Sequence, residues 1–236
     1  MLSKNKKFLA IIPARGGSKR IPQKNIKLLA GKPLLQYTIE VALNCKYIDR
    51  VVVSTEDKKI ANISKKLGAE VPHLRPKKLA TNTAKTLPVL QHMVKYLREK
   101  KNYIPGAIIT LQPTSPLRTT KHLNEAIKLF LNHPEIDSLV STVRVPHNFI
   151  PECIMEANKK GYLESYIKSK NLPVRSQDKP IYYARNGAIF ITKTKKLKQY
   201  MCGGKLLNYI MDEKSSIDID TLEDFKKAEE ILKNKL

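Results

Sequence analysis

Apolar residues along this chain fall into short dense blocks, separated by longer stretches in which they recur every three or four positions. Phe8 to Ile12 ("FLAII"), Arg50 to Ser54 ("RVVVS"), Ala107 to Leu111 ("AIITL"), Ser138 to Thr142 ("SLVST") and Ala188 to Thr192 ("AIFIT") are short, β-branched and nearly continuous in apolar character. That is the pattern of strands covered on both faces. Between them, Pro33 to Asn44 carries Leu35, Ile39 and Leu43, and Asp57 to Leu67 carries Ile60, Ile63 and Leu67, each set on one helical face. Residues 84 to 99 and 120 to 131 continue the helical period, and Thr221 to Lys233 reads as a last helix with Thr221 and Asp224 as a capping box. Strands alternating with helices predict an α/β fold of Rossmann-like type, with a mostly parallel central sheet and its sites at the carboxyl ends of strands.

One stretch departs from the alternation. Arg144 to Tyr183 is rich in proline, tyrosine and lysine, and a strand pair is expected around "CIMEANKKGYLES", with Asn158 to Gly161 as the turn. The expected organisation is a single domain over residues 1–236, with residues 144–183 as an inserted excursion. At 236 residues and 42% hydrophobic content, the chain is long enough to bury a full core without staples. Cys45, Cys153 and Cys202 are widely spaced with no CxxC pair, so no disulfide framework or zinc site is indicated. No apolar run reaches the ~18 residues of a membrane span, and "MLSKNKKFLAIIPA" lacks a signal peptide's apolar core. A cytoplasmic protein without membrane partners is expected.

A formal charge of +23 raises the question of nucleic-acid binding. However, 35 of the 44 cationic residues are lysine, spread over helices such as "KKIANISKKLG" and "FKKAEEILKNKL". Scattered lysine is characteristic of solvated faces, whereas arginine dominates planar recognition of phosphates and bases. No nucleic-acid partner is therefore expected, although the charge can attract small anionic substrates.

Three segments carry chemistry. "IIPARGGSKRIPQKN" follows the first strand and gathers Arg15, Lys19, Arg20 and Lys24 around Gly16 and Gly17, whose backbone can turn tightly toward an anion. It matches neither GxxxxGK[ST] nor GxGxxG, and by itself a glycine-rich surface turn explains it equally well. "LQPTSPLRTT" ends a buried strand at Gln112 and holds Thr114, Ser115 and Arg118 between prolines. Its amide can orient a hydroxylated substrate, or the segment is simply a turn before a helix. In "SSIDIDTLEDF", Asp218 and Asp220 alternate with Ile217 and Ile219, so an extended backbone turns both carboxylates to one side. Beside a phosphate ligand such a pair suits Mg²⁺, and the alternative is a solvated acidic turn with Asp220 capping the last helix.

Taken together, "IIPARGGSKRIPQKNIKLLAGKPLLQYTIE", "RVVVSTEDKKIA", "LRPKKLATNTA", "LQPTSPLRT", "RNGAIFI" and "SIDIDTLEDF" resemble, in order and at similar spacing, the bacterial acylneuraminate cytidylyltransferases, or CMP-sialic acid synthetases. The resemblance spans nearly the whole chain. It implies a nucleotidyltransferase fold, a homodimer in which residues 144–183 make much of the contact, and Mg²⁺-dependent transfer of CMP from CTP to a nonulosonic (sialic-acid-like) sugar with release of pyrophosphate. It further implies that Ala14, Arg15, Gly16, Ser18, Lys19, Lys24 and Asn25 hold the CTP phosphates and ribose, with Arg75 and Ala84 against the cytosine. Gln112, Thr114, Arg175 and Asn186 correspond to acceptor-sugar positions, and Asp218 and Asp220 to the metal ligands. Arg15, Lys19, Asp218 and Asp220 are the implied catalytic set.

Some positions depart from the family pattern. Asn82 stands where "LA-x-D-T-A" has aspartate, Lys85 where serine is frequent, and "RVPHNFIPECIM" lacks an expected lysine. These positions fall near the expected sugar pocket, which makes legionaminic or pseudaminic acid as credible an acceptor as sialic acid. Of the five histidines, His147 alone sits where that pocket is expected. A ketodeoxyoctonate or hexose-1-phosphate nucleotidyltransferase is the related alternative, and the opening loop fits it less well.

Overall fold

In the computed structural model, residues 7–167 and 179–234 are described. The strands are β1 (Phe8–Pro13), β2 (Leu28–Leu29), β3 (Lys32–Pro33), β4 (Arg50–Ser54), β5 (Ala107–Thr110), β6 (Ser138–Arg144), β7 (Met155–Ala157), β8 (Leu163–Ser165), β9 (Tyr183–Lys193) and β10 (Leu206–Ile210). The α-helices are α1 (Leu34–Leu43), α2 (Lys58–Lys66), α3 (Thr86–Lys101), α4 (Thr120–Asn132) and α5 (Leu222–Lys233). Six strands form the main sheet in the order β10-β6-β9-β5-β1-β4. β1 pairs in parallel with β4 and β5, and β10 with β6, whereas β9 runs antiparallel between β5 and β6.

The alternation of side chains in β1 builds both faces of the sandwich. Phe8, Ala10 and Ile12 join Leu35 and Ile39 of α1, Ile60 of α2 and Leu123, Ile127 and Phe130 of α4. Leu9 and Ile11 point the other way and meet Leu90, Met93 and Leu97 of α3. Because both faces are covered, the strand needs apolar residues at every position, which is why it reads as a continuous run. From β1 the chain crosses by α1 to β4, then by α2 and α3 back over β1 to β5. This reversal leaves a crevice at the carboxyl ends of β1 and β5, the usual place for a ligand in an open α/β sheet.

A third apolar cluster positions the far end of the chain. Ile21, Leu29 and Leu34 pack against Ile219, Phe225 and Ala228, docking α5 beside the loop that follows β1. The capping box of α5 forms as the sequence predicts, with Thr221 and Asp224 satisfying each other's backbone N–H groups.

Two features differ from the sequence-based expectation. β10 is a sheet-edge strand, paired on one side and only half-buried, so it lacks the continuous apolar run by which the other strands are recognised. β9 begins five residues before the apolar block at Ala188. Its start is exposed, and Gly187 (φ +75°) lies where the register with β6 shifts. The expected hairpin is present: β7 and β8 pair antiparallel, and Gly161 (φ +84°) supplies the left-handed turn residue.

Candidate active site

The crevice holds a cavity of about 530 Å³. The loop after β1 contributes Arg15, Ser18, Lys19, Arg20, Lys24 and Asn25 to its walls. Opposite lie Arg75 and the 79–86 segment, including Ala84, while Gln112 and Thr114 line it at the end of β5 and Asp220 at the start of α5.

The loop is braced from within. The Asn25 side-chain amide donates to the Arg15 carbonyl at 2.8 Å. The Arg15 guanidinium reaches the other wall, donating to the Thr81 carbonyl at 3.0 Å and to Asn82 Oδ1 at 2.9 Å. Lys24 turns inward, its ammonium 2.7 Å from the Ile219 carbonyl and 3.6 Å from Asp220. Arg20 closes on Asp220 at 3.1 Å. Lys19 is exposed on the rim, free of these braces to follow an incoming anion.

Ile219 explains how the two aspartates are held. It is fully buried in the third cluster, its N–H donates to the Thr114 carbonyl at 2.8 Å, and its own carbonyl receives Lys24. An apolar plug pinned on both backbone groups leaves its two acidic neighbours turned outward. Asp220 faces the cationic loop. Asp218 is open to solvent on one side and crowded by protein on the other. Desolvation raises its pKa, the Asp220 charge adds to the rise, and the Thr114 hydroxyl and Lys24 partly offset it.

At Gly187 a Cβ would lie 3.1 Å from Asp218 Oδ2 and 3.5 Å from Gln112 Oε1. Left-handed backbone without a side chain thus lets the amide of Gln112 and the carboxylate of Asp218 share one floor. Beneath it, Arg118 is buried at 2% exposure. Its guanidinium donates to the Ala188 carbonyl at 2.7 Å, to Thr38 Oγ1 at 2.7 Å and to the Gln112 carbonyl at 3.4 Å, tying β5, β9 and α1 together. Burial pushes its pKa down to about 9, so it remains a cation at neutral pH.

Other expected site residues lie elsewhere. Ala14 is in the core, its N–H on the Ser54 carbonyl. The Gly16 N–H is taken by Glu56 at 2.8 Å. Asn186 is buried away from the cavity: Ser141 donates to its carbonyl at 2.6 Å, and its amide donates to Ser216 Oγ at 2.9 Å and to the Met211 sulfur at 3.4 Å. Arg175 lies outside the described residues. His147 lines a separate cavity of about 470 Å³ near the start of the excursion, with Arg144, Lys179 and Tyr182. Sequence reasoning counted Arg20 only among the loop's cations, without a partner, and passed over Glu56 and Gly187. Each stands inside a motif that carried the resemblance, but their partners are remote in sequence and only folding brings them together.

Magnesium is tested by the donor set. Mg²⁺ is commonly held by one or two carboxylates, with substrate phosphates and water completing its shell. Asp218 and Asp220 are close enough to repel; Asp220 borders the cavity beside the cations Arg15, Lys19, Arg20 and Lys24, whereas Asp218 sits next to it, outside the lining. Among the described residues no group of three or more His, Cys, Asp or Glu side chains comes together, so a cation here draws its remaining oxygens from nucleotide and water. The residues fit on those terms.

Cations thus gather in a crevice at the carboxyl edge of an α/β sheet, and the comparisons give the class, a nucleotidyltransferase. The cytidylyltransferase family model matches residues 9–236, and the chain belongs to that family. It is 35% identical over 233 residues to the CMP-N,N'-diacetyllegionaminic acid synthase of Legionella pneumophila, covering 96% of each chain. It is 31% identical to the pseudaminic acid cytidylyltransferase of Campylobacter jejuni, covering 96% of this chain and 97% of that one. Against the N-acylneuraminate cytidylyltransferase of Escherichia coli it is 34% identical over 94% of its own length and 51% of that protein's. Among solved structures, a CMP:2-keto-3-deoxy-manno-octonic acid synthetase complexed with CTP superposes with a TM-score of 0.73 at 17% identity, over 98% of this chain and 100% of that one, which supports the shared fold.

Proposed function

We propose that this protein activates a nonulosonic acid: CTP and the sugar acid react to give the CMP-sugar and pyrophosphate. The observation that carries the reading is the pairing of a cationic loop with Asp220 in one crevice, with Asp218 as its acidic neighbour, in a chain whose relatives bear the names of legionaminic, pseudaminic and acylneuraminic acid enzymes.

Both reactants are anionic, so the protein's principal task is to bring them together and neutralise them. Arg15, Ser18, Lys19 and Lys24 hold the triphosphate, and Asn25 keeps the loop in shape from its place beside the ribose. Arg75 and Ala84 flank the cytosine. Gln112 and Thr114 orient the sugar hydroxyl that attacks the α-phosphate, and Arg175 takes the sugar's carboxylate. As the α–β phosphate bond breaks, charge grows on the departing pyrophosphate, where Lys19 and Arg15 are placed to stabilise it. Asp218 and Asp220 would hold a Mg²⁺ ion, which when bound would supply Lewis-acid polarisation of the phosphate. The buried amide network of Asn186 suits it to fixing the acceptor floor rather than touching the sugar.

The enzyme acts as a homodimer in the cytoplasm, and among the described residues no helix is long and apolar enough to cross a membrane. Replacing Asp218 with alanine removes a metal ligand while leaving the cationic loop intact. Pyrophosphate release by that variant is expected to fall about a thousandfold or more, since Lewis-acid stabilisation contributes several kcal/mol. Turnover near the wild-type rate contradicts the assignment.

A further inference from the structure

Glu56 follows β4 at the point where the chain turns into α2, and none of the roles above uses it. Its two carboxylate oxygens serve different walls of the cavity. Oε1 accepts the Gly16 N–H at 2.8 Å, on the loop after β1. Oε2 accepts Arg75 Nε at 3.2 Å and Nη2 at 3.1 Å, on the opposite wall. The Arg75 guanidinium is buried at 5% exposure, and this carboxylate is its salt-bridge partner. Burial and the nearby charge of Arg15 oppose the Arg75 cation, while Glu56 favours it.

The surroundings leave the strut little freedom. The Arg75 N–H is bonded to the Thr55 carbonyl at 2.9 Å, so the arginine is anchored to the residue next to its partner. On the loop side, a Cβ at Gly16 would fall 2.6 Å from Asp57 Oδ2. Asp57 is itself fixed as the N-cap of α2, accepting from the Lys59 and Ile60 N–H groups. Glycine is therefore required for the loop to come close enough to reach Glu56.

We infer that Glu56 is a positioning residue that locks the distance between the phosphate-holding loop and the base-side wall by bonding Gly16 with one oxygen and aiming Arg75 with the other, and so couples nucleotide affinity to base choice. This rests on the CTP reading above. Without the carboxylate, the Gly16 loop and Arg75 relax independently, and a nucleotide must pay the cost of ordering both.

The test is calorimetric titration of CTP and UTP into wild type, Glu56→Gln, Glu56→Asp, Arg75→Gln and the Glu56→Gln/Arg75→Gln double variant. Gln keeps an acceptor for Gly16 but turns an amide toward Arg75. Asp keeps the charge but is one carbon too short to serve both walls. Both are expected to weaken CTP about ten- to a hundredfold, as loss of an orienting partner typically does, and to narrow the CTP-to-UTP preference. The double variant is expected to bind CTP no worse than Arg75→Gln alone, because an unaimed Arg75 has already lost its contribution. If Glu56→Gln destabilises the fold by stranding a buried cation, Glu56→Asp still reads the strut. Unchanged CTP affinity in Glu56→Asp, or losses that simply multiply in the double variant, overturns the inference. Wild type that binds CTP while the variants match it sinks the inference alone, whereas wild type that fails to bind CTP sinks the functional reading and this inference with it.

Discussion

Asp218 and Asp220 are two residues apart and differ in their surroundings. Asp220 already has Arg20 and Lys24 for company, whereas Asp218 is raised by desolvation and by its acidic neighbour. A carboxylate whose folded pKa lies above its unfolded value contributes stability that is present at low pH and lost as pH rises through the folded value. At neutral pH the ionised Asp218 is therefore a cost to the fold, as expected of a residue kept for the proposed metal-binding role. Asp218→Asn is expected to raise the melting temperature slightly at pH 7, with the gain fading as pH falls below the ordinary aspartate value, while pyrophosphate release is lost. A lower melting temperature at pH 7 contradicts this account. The alternation of isoleucine and aspartate made the pair legible in the sequence. That Ile219 is the anchor, pinned by Thr114 and Lys24 from opposite ends of the chain, was not, because both partners depend on how α5 docks.

At the scale of elements, a histidine pair joins α3 to the segment leading into Arg75. His73 Nε2 lies 3.4 Å from His92 Nδ1, and the His73 ring stacks on Tyr96 with centroids 3.9 Å apart. Burial lowers both histidine pKa values, with the His92 charge opposing protonation of His73, and Lys78 and Lys95 opposing that of His92. A histidine with a lowered folded pKa supports the fold above its unfolded value of 6.5 and withdraws that support as pH falls through the folded value. The melting temperature is thus expected to drop between pH 7.5 and pH 5 by more in wild type than in His73→Phe, measured by thermal scans in matched buffers. Equal drops remove the pair from the account. The strands and helices near the site were legible in the sequence because full burial forces apolar continuity and helical faces force periodicity. β10 was not, because an edge strand with Asn208 and Tyr209 half-exposed carries neither signal.

Across the whole molecule, exposed apolar residues concentrate in the excursion: Phe149, Met155, Tyr162, Leu163, Tyr166 and Ile181 are each more than half exposed. Among the described residues the β7–β8 hairpin has no pairing with the main sheet, and a two-stranded ribbon is marginal without something to pack on. On the proposed dimer a second copy of the chain would provide that surface, and sedimentation is expected to give twice the 26.9 kDa chain mass. Leu163→Asp together with Tyr162→Asp should shift the protein toward monomer, and a wild-type monomer at micromolar concentration contradicts the dimer. The resemblance implies an interface for this segment, and the sedimentation result is what tests it. The net charge of +23 belongs to this scale as well, since a strongly cationic surface can attract small anionic substrates.

The central claim is the reaction itself, and pyrophosphate release tests it most directly. Purified protein is supplied with CTP, Mg²⁺ and, in separate reactions, sialic, legionaminic and pseudaminic acids, with ketodeoxyoctonate and a hexose 1-phosphate as contrasts. Release with at least one nonulosonic acid, exceeding both contrasts, is the predicted result. Release confined to the contrasts, or none with any acceptor, contradicts the account.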